Sequence, residues 1–148
     1  MAAAETLYPR TWKQDTLHAT VTLTNAVASN IHVIPRRVDG GFFTVTVKGE
    51  TAANDLDAVT IAVLPLYRDE DGDIQEGTAS VDLVTGVDFS AGGVVSGPYS
   101  LNTAFSLASD TTKMMHCDGW MVQLTDVGGA GTSGDLTLIV QEKASEAV

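Results

Sequence analysis

Apolar and polar residues alternate at every second position along most of this chain, from Leu17 almost to the C-terminus. The clearest apolar sets are Ala19, Val21 and Leu23; Phe43, Val45 and Val47; and Leu136, Leu138 and Val140. A period of two places successive side chains on opposite faces of an extended strand, so each segment predicts a half-buried β-strand. Because no helical periodicity of useful length accompanies these segments, we predict an all-β chain.

Turn residues divide the alternating stretches into about eight short strands. Asp39-Gly40-Gly41 predicts a tight turn, and Pro65 predicts a bulge or a sheet edge because proline cannot donate to a β-ladder. A glycine-rich loop around Gly128–Gly134 joins the last two strands, which we expect to form a closing hairpin. This spacing predicts an antiparallel β-sandwich or barrel, jelly-roll-like, in which residues 17–148 form one domain.

Residues 1–16 have a different character and predict an extended N-terminal arm. Aromatic and cationic side chains interleave there as Tyr8, Arg10, Trp12 and Lys13. Large aromatic surfaces favour burial, so a free, solvated arm would gain little from displaying them. Two interpretations follow: the arm packs on its own domain as a first strand, or it crosses onto a neighbouring subunit or another protein.

The formal net charge of −11 is distributed unevenly. Residues 1–50 carry five cations against four acids, a net charge of +1, whereas residues 51–148 carry three cations against fifteen acids, a net charge of −12. The acidic balance predicts that nucleic acid is not a partner, because phosphate neutralisation needs a basic surface. The asymmetry indicates one end that meets an acidic or neutral partner, or else an acidic side selected for solubility alone. No stretch is long and apolar enough to predict a membrane span.

Two adjacent arginines, Arg36 and Arg37, precede the Asp39-Gly40-Gly41 turn and are expected to project from a loop at one end of the sandwich. Guanidinium groups there can make bidentate contacts to the carboxylates of a partner, although an ordinary solvated pair is the plainer alternative. Together with Arg10 and Lys13 they make up half of the cations of the chain. We therefore predict a partner-binding surface made of Tyr8, Arg10, Trp12, Lys13, Arg36 and Arg37.

Few residues suggest chemistry. Asp69, Asp71 and Asp73 resemble the opening of a calcium loop, but Ile74 and Ser80 occupy the sixth and twelfth positions, where an EF-hand needs glycine and glutamate. A solvated acidic turn is the main interpretation, with weak cation binding as the alternative. The glycine-rich loop leads into a strand, and a phosphate-cradling loop would require a helix there.

The remaining candidates also give no catalytic constellation. His116 and Cys117 are adjacent, and adjacent strand residues point to opposite faces. His18, His32 and His116 would form a site only if the fold brought them together around a cavity. We predict a protein that is not an enzyme and has no catalytic residue, no metal ion and no cofactor.

A short, cysteine-poor, single-domain β-protein that begins MAAAETLYPRTWKQD and continues in small-residue-rich strands resembles the virion structural proteins of tailed bacteriophages. It is most similar in style to their capsid decoration, or cement, proteins. The resemblance implies a homotrimer made in the host cytoplasm and bound to the major capsid protein on the outside of the virion. It also implies that the six partner-binding residues face the capsid, that Asp69–Glu76 faces solvent, and that the role is mechanical stabilisation of the shell.

Two other function classes stay open at this point. One is a carbohydrate- or receptor-binding β-sandwich, such as a phage tail or fibre component. The other is a hydrolase or isomerase on a jelly-roll barrel, which would need His18, His32 and His116 to converge.

Overall fold

The computed structural model describes residues 12–34, 42–50, 54–101 and 118–145, and these ranges form nine β-strands in two antiparallel sheets. The strands are β1 (Trp12–Thr24), β2 (Ser29–Val33), β3 (Phe42–Gly49), β4 (Val59–Arg68), β5 (Ile74–Glu76), β6 (Val81–Val87), β7 (Val95–Ser100), β8 (Gly119–Asp126) and β9 (Ser133–Ser145). The described ranges contain no helix that could cross a membrane. The predicted all-β sandwich is confirmed.

The strand order is that of a jelly roll. One sheet has the order β1-β9-β3-β7, and the other has β2-β8-β4 with both β5 and β6 paired to the free edge of β4. The strand pairs are nested, as in one long hairpin that is folded over on itself. The pairs are β1 with β9, β2 with β8, β3 with β7, and β4 with β5 and β6. Wrapping such a ribbon into two facing sheets encloses one core between them.

In β3 and β9 the alternating pattern predicted the buried face. Phe43, Val45 and Val47 are buried, as are Leu136, Leu138 and Val140 on the neighbouring β9. The facing sheet contributes, among others, Val59, Ile61, Val63, Trp120, Val122 and Leu124 to the same cluster. The aromatic rings of Phe43 and Trp120 join the two sheets, with ring centroids 5.1 Å apart.

Pro65 lies where the edge of β4 changes its partner. Val59–Val63 pair with β6, whereas Leu66–Arg68 pair with β5. The carbonyl of Pro65 accepts the backbone N–H of Gly77 at 2.8 Å, but proline has no N–H to return to this edge. The missing donor coincides with the break between the two short strands.

Two predictions about strand partners and bounds were wrong. The last two strands do not form a hairpin, because β8 pairs with β2 and β4 while β9 pairs with β1 and β3 in the other sheet. The glycine-rich loop therefore crosses between the sheets. The first strand begins at Trp12 and not at Leu17, since β9 extends to Ser145 and offers partners to residues 12–16. Residues 1–11 of the predicted arm lie outside the described residues.

The antiparallel order gives the sandwich two ends. We call one the glycine-loop end; residues 25–28, 54–58, 88–94 and 127–132 lie there. We call the other the arm end; it holds the start of β1, Ile34 after β2, and the turn 69–73 after β4.

Candidate functional site

Of the six residues predicted to bind a partner, the structure describes only the backbones of Trp12 and Lys13, which lie at the arm end. Trp12 and Lys13 open β1, where their backbones pair with Ser145 and Ala144. Tyr8, Arg10, Arg36 and Arg37 lie outside the described residues. The chain leaves β2 at Ile34, two residues before Arg36.

The structure brings the beginning of β1 and the end of β2 to one corner of the sandwich. Thr16, four residues after Trp12, and Ile34 line the same cavity of about 580 Å³. We call it the edge cavity; its walls are Thr16, His18, Ala19, Ile31, His32, Val33, Ile34, Phe43, Leu138, Val140 and Glu142. It opens between the sheets on the side where β1 and β2 form the edges.

The acidic turn 69–73 lies at the same end but on the far edge of the second sheet. Asp69 Oδ1 accepts the backbone N–H groups of Asp71 and Asp73 at 3.0 and 2.9 Å, and Oδ2 accepts Gln75 Nε2 at 2.9 Å. These bonds, that from Asp73 foremost, lower the pKa of Asp69. The carboxylate thus organises the turn, and its oxygens are already engaged by donors of the protein.

At the glycine-loop end, two aspartates hold the loop that crosses between the sheets. Asp57 accepts the backbone N–H groups of Ala130 and Gly131 at 3.0 and 3.1 Å. Asp55 Oδ1 accepts those of Thr132 and Ser133 at 3.0 and 2.9 Å, and Asp55 Oδ2 accepts Thr132 Oγ1 at 2.9 Å. The Ser133 and Thr132 donors lower the pKa of Asp55. The loop is therefore anchored through four of its backbone N–H groups.

Glycine is required in this loop by both space and conformation. Gly129 has a φ of +62°, a backbone conformation that residues with a Cβ rarely adopt. A Cβ at this position would also collide with the carboxylate of Asp57. The glycine-rich composition thus serves close approach to an aspartate, and the prediction that it does not cradle phosphate stays a prediction.

A buried carboxylate completes the glycine-loop end. Asp126 is 0% exposed, and its Oδ1 accepts the backbone N–H of Ala58 at 2.9 Å while Oδ2 accepts Asn25 Nδ2 at 3.2 Å. Beside it, Val27 and Val127 are 58% and 68% exposed. This end thus presents apolar side chains on a framework of internally bonded acids.

Two of the three histidines, His18 and His32, line the edge cavity, and His116 lies outside the described residues. His32 Nε2 lies 2.9 Å from Glu76 Oε1 in an exposed pair. Within the described ranges, no group of three or more His, Cys, Asp or Glu side chains is placed to hold a metal ion.

Glu142 lines this cavity and was not among the site residues predicted from the sequence. The parity that buries Leu138 and Val140 also directs position 142 to the inner face, so the pattern contained the signal. Asp55 and Asp57 gave no such signal, because their partners lie more than seventy residues away.

No protein-family model and no curated protein matches this sequence. Among solved structures, the chain is similar to one in the atomic structure of Sulfolobus turreted icosahedral virus, with a TM-score of 0.40, 17% identity, and coverage of 92% of this chain and 31% of the other. It is also similar to one in the structure of infectious bursal disease virus, Gx strain, with a TM-score of 0.40, 11% identity, and coverage of 97% and 36%. The chain spans about a third of the length of each.

Proposed function

We propose that this chain is a non-enzymatic virion structural protein that binds the outside of a bacteriophage capsid and stabilises it. The observation that carries the proposal is the shared corner of the arm end. Thr16, four residues after Trp12, and Ile34, two residues before Arg36, line one cavity, so the start of β1 and the end of β2 lie side by side. We infer that the cations flanking these two points in the sequence, Arg10, Lys13, Arg36 and Arg37, form one surface.

The mechanism follows from charge and linkage. The rest of the chain is strongly acidic, so cations concentrated at one corner orient that corner toward carboxylates of a partner, the major capsid protein. A ligand that binds the assembled shell more tightly than its free subunits stabilises the shell by mass action. A homotrimer would multiply the contacts at each site through effective concentration.

The fold supplies a rigid platform for this role. The described connections at the glycine-loop end are held by hydrogen bonds to Asp55, Asp57 and Asp126. Jelly rolls occur in viral capsid domains, but also in lectin domains and cupins, so the fold is compatible with the proposal without establishing it.

A carbohydrate- or receptor-binding module, such as a tail or fibre component, is the second candidate. The edge cavity favours it, because about 580 Å³ lies within the range of small-molecule sites. This alternative predicts that the isolated chain binds glycans and leaves capsids undecorated.

Co-sedimentation with empty capsids of the encoding phage tests the proposal. We expect the full chain to pellet with the capsids, and deletion of residues 1–11, which leaves β1 intact, to abolish pelleting. Arg36→Ala with Arg37→Ala should weaken binding about ten-fold and more steeply at high salt, because interface charge pairs are screened.

The matched control is Lys48→Ala with Arg68→Ala, which removes two cations away from the shared corner. An equal loss in this control would show non-specific charge attraction. Absence of capsid binding by the full chain would overturn the proposal, and glycan-array binding would then select the alternative. Sedimentation equilibrium of the full chain tests the proposed homotrimer, and we expect the mass of three chains.

A further inference from the structure

Glu142 occupies an unusual position for a carboxylate. It follows Leu136, Leu138 and Val140 at two-residue spacing on β9, and it pairs with the buried Phe43 on β3. Its Oε1 is buried and accepts no hydrogen bond from any residue that the structure describes. Burying an oxygen of an ionised group without a hydrogen bond lowers the stability of the fold, so such oxygens in native proteins usually have a partner.

No lysine or arginine among the described side chains supplies this partner. Among the described side chains, the cations are Lys48, toward the glycine-loop end, and Arg68, which donates to the carbonyl of Gly72. Neither is paired with Glu142.

The rest of the edge cavity suits an apolar stem. Ala19, Ile31, Val33, Leu138 and Val140 contribute aliphatic walls. Phe43 adds an aromatic wall and is held against Trp120 of the facing sheet. The polar walls are Thr16, His18, His32 and the unsatisfied carboxylate of Glu142, and a carboxylate beside aliphatic and aromatic walls suits an organic cation.

We propose that the edge cavity binds a protonated primary amine or a guanidinium group carried on a short apolar stem, with Glu142 as the acceptor of its charged head. The source is either a free small amine or a lysine or arginine side chain of a partner. The inference rests on Glu142 and its cavity alone, so it stands or fails independently of capsid binding.

Titration of the ¹⁵N-labelled full chain by NMR tests the proposal. We expect n-butylammonium and n-butylguanidinium to shift the amide resonances of Ala19, Val33 and Glu142 saturably, with millimolar dissociation constants suited to such small ligands. The neutral isostere n-butanol should bind at least ten-fold more weakly. Tighter binding of Nα-acetyl-lysine amide than of n-butylammonium would identify a side chain as the natural source, and the reverse order would identify a free amine.

Three variants assign the site. Glu142→Gln should weaken n-butylammonium about ten-fold or more, as expected for loss of a charge-assisted hydrogen bond. Glu70→Gln removes the same charge from an exposed turn and should leave binding unchanged. Ala19→Leu keeps the carboxylate but fills the cavity, and should also weaken binding.

Several results would overturn the proposal. These are no saturable shifts with either cation, equal binding of n-butanol, or equal loss in Glu142→Gln and Glu70→Gln. Thermal melts show whether each variant is folded. If Glu142→Gln does not fold, the binding of n-butylammonium by Ala19→Leu tests whether the cavity is the site.

Discussion

Replacing Asp126 by alanine should destabilise the protein substantially, because its carboxylate links the end of β8 to two connections of the sandwich, 25–28 and 54–58. It is 0% exposed, and it accepts the backbone N–H of Ala58 and the side-chain amide of Asn25, while its own carbonyl accepts the N–H of Ala26 at 2.8 Å. Only the last of these bonds survives the substitution.

The magnitude follows from the stranded donors. The part-buried N–H of Ala58 loses a bond to a charged acceptor, worth about 1.5–3 kcal/mol. Asn25 Nδ2 still donates to the carbonyl of Gly128 at 3.3 Å, so losing its bond to the carboxylate adds only about 0.5 kcal/mol. Relief of carboxylate desolvation offsets part of the total, and we expect a net loss of about 2–3 kcal/mol. Asp126→Asn retains an acceptor for Ala58 and should lose only about 1 kcal/mol.

Urea unfolding at pH 7, monitored by tryptophan fluorescence, measures these differences as free energies of unfolding. Asp71→Ala is the control, since it removes the same charge from an exposed turn position and should stay within about 0.5 kcal/mol of the parent. A loss from Asp126→Ala no larger than that of the control would refute the assigned role of the carboxylate. So would equal losses from the alanine and asparagine variants.

Three further predictions concern the core, the anchored loop and the surface. Leu138→Ala, at a position 1% exposed, should cost about 2–5 kcal/mol in urea unfolding, and a loss below 1 kcal/mol would contradict the assigned core. The pKa of Asp55 is lowered in the fold, so its contribution is fully present above the ordinary value of about 3.9 and is lost as pH falls through the folded pKa. The stability difference between the parent and Asp55→Asn should therefore be constant above about pH 5 and shrink below it, and a difference independent of pH down to 2 would argue against this. Glu76→Gln breaks an exposed pair with His32 and should change stability by less than about 0.5 kcal/mol, so a larger loss would show that the pair is structural.

In β3 and β9 the alternating pattern determined which side chains face inward. Phe43, Val45 and Val47 are buried as their spacing predicts, and the same parity carries Glu142 to the inner face of β9. This holds because the direction of a side chain in a strand depends on the local backbone alone. The missing N–H of Pro65 is equally local, and so is its effect on the ladder.

Only the tertiary structure decided which strands are neighbours and what the loops contact. Gly129 is adjacent to Asp57, and Thr132 to Asp55, because β8 and β9 lie in different sheets and the loop between them crosses the start of β4. The convergence of Thr16, Ile34 and Glu142 on one cavity has the same origin. Strand partners are selected by the packing of the whole core, which involves residues far apart in the sequence. A two-residue period reports only the local direction of side chains and does not specify the partner strand.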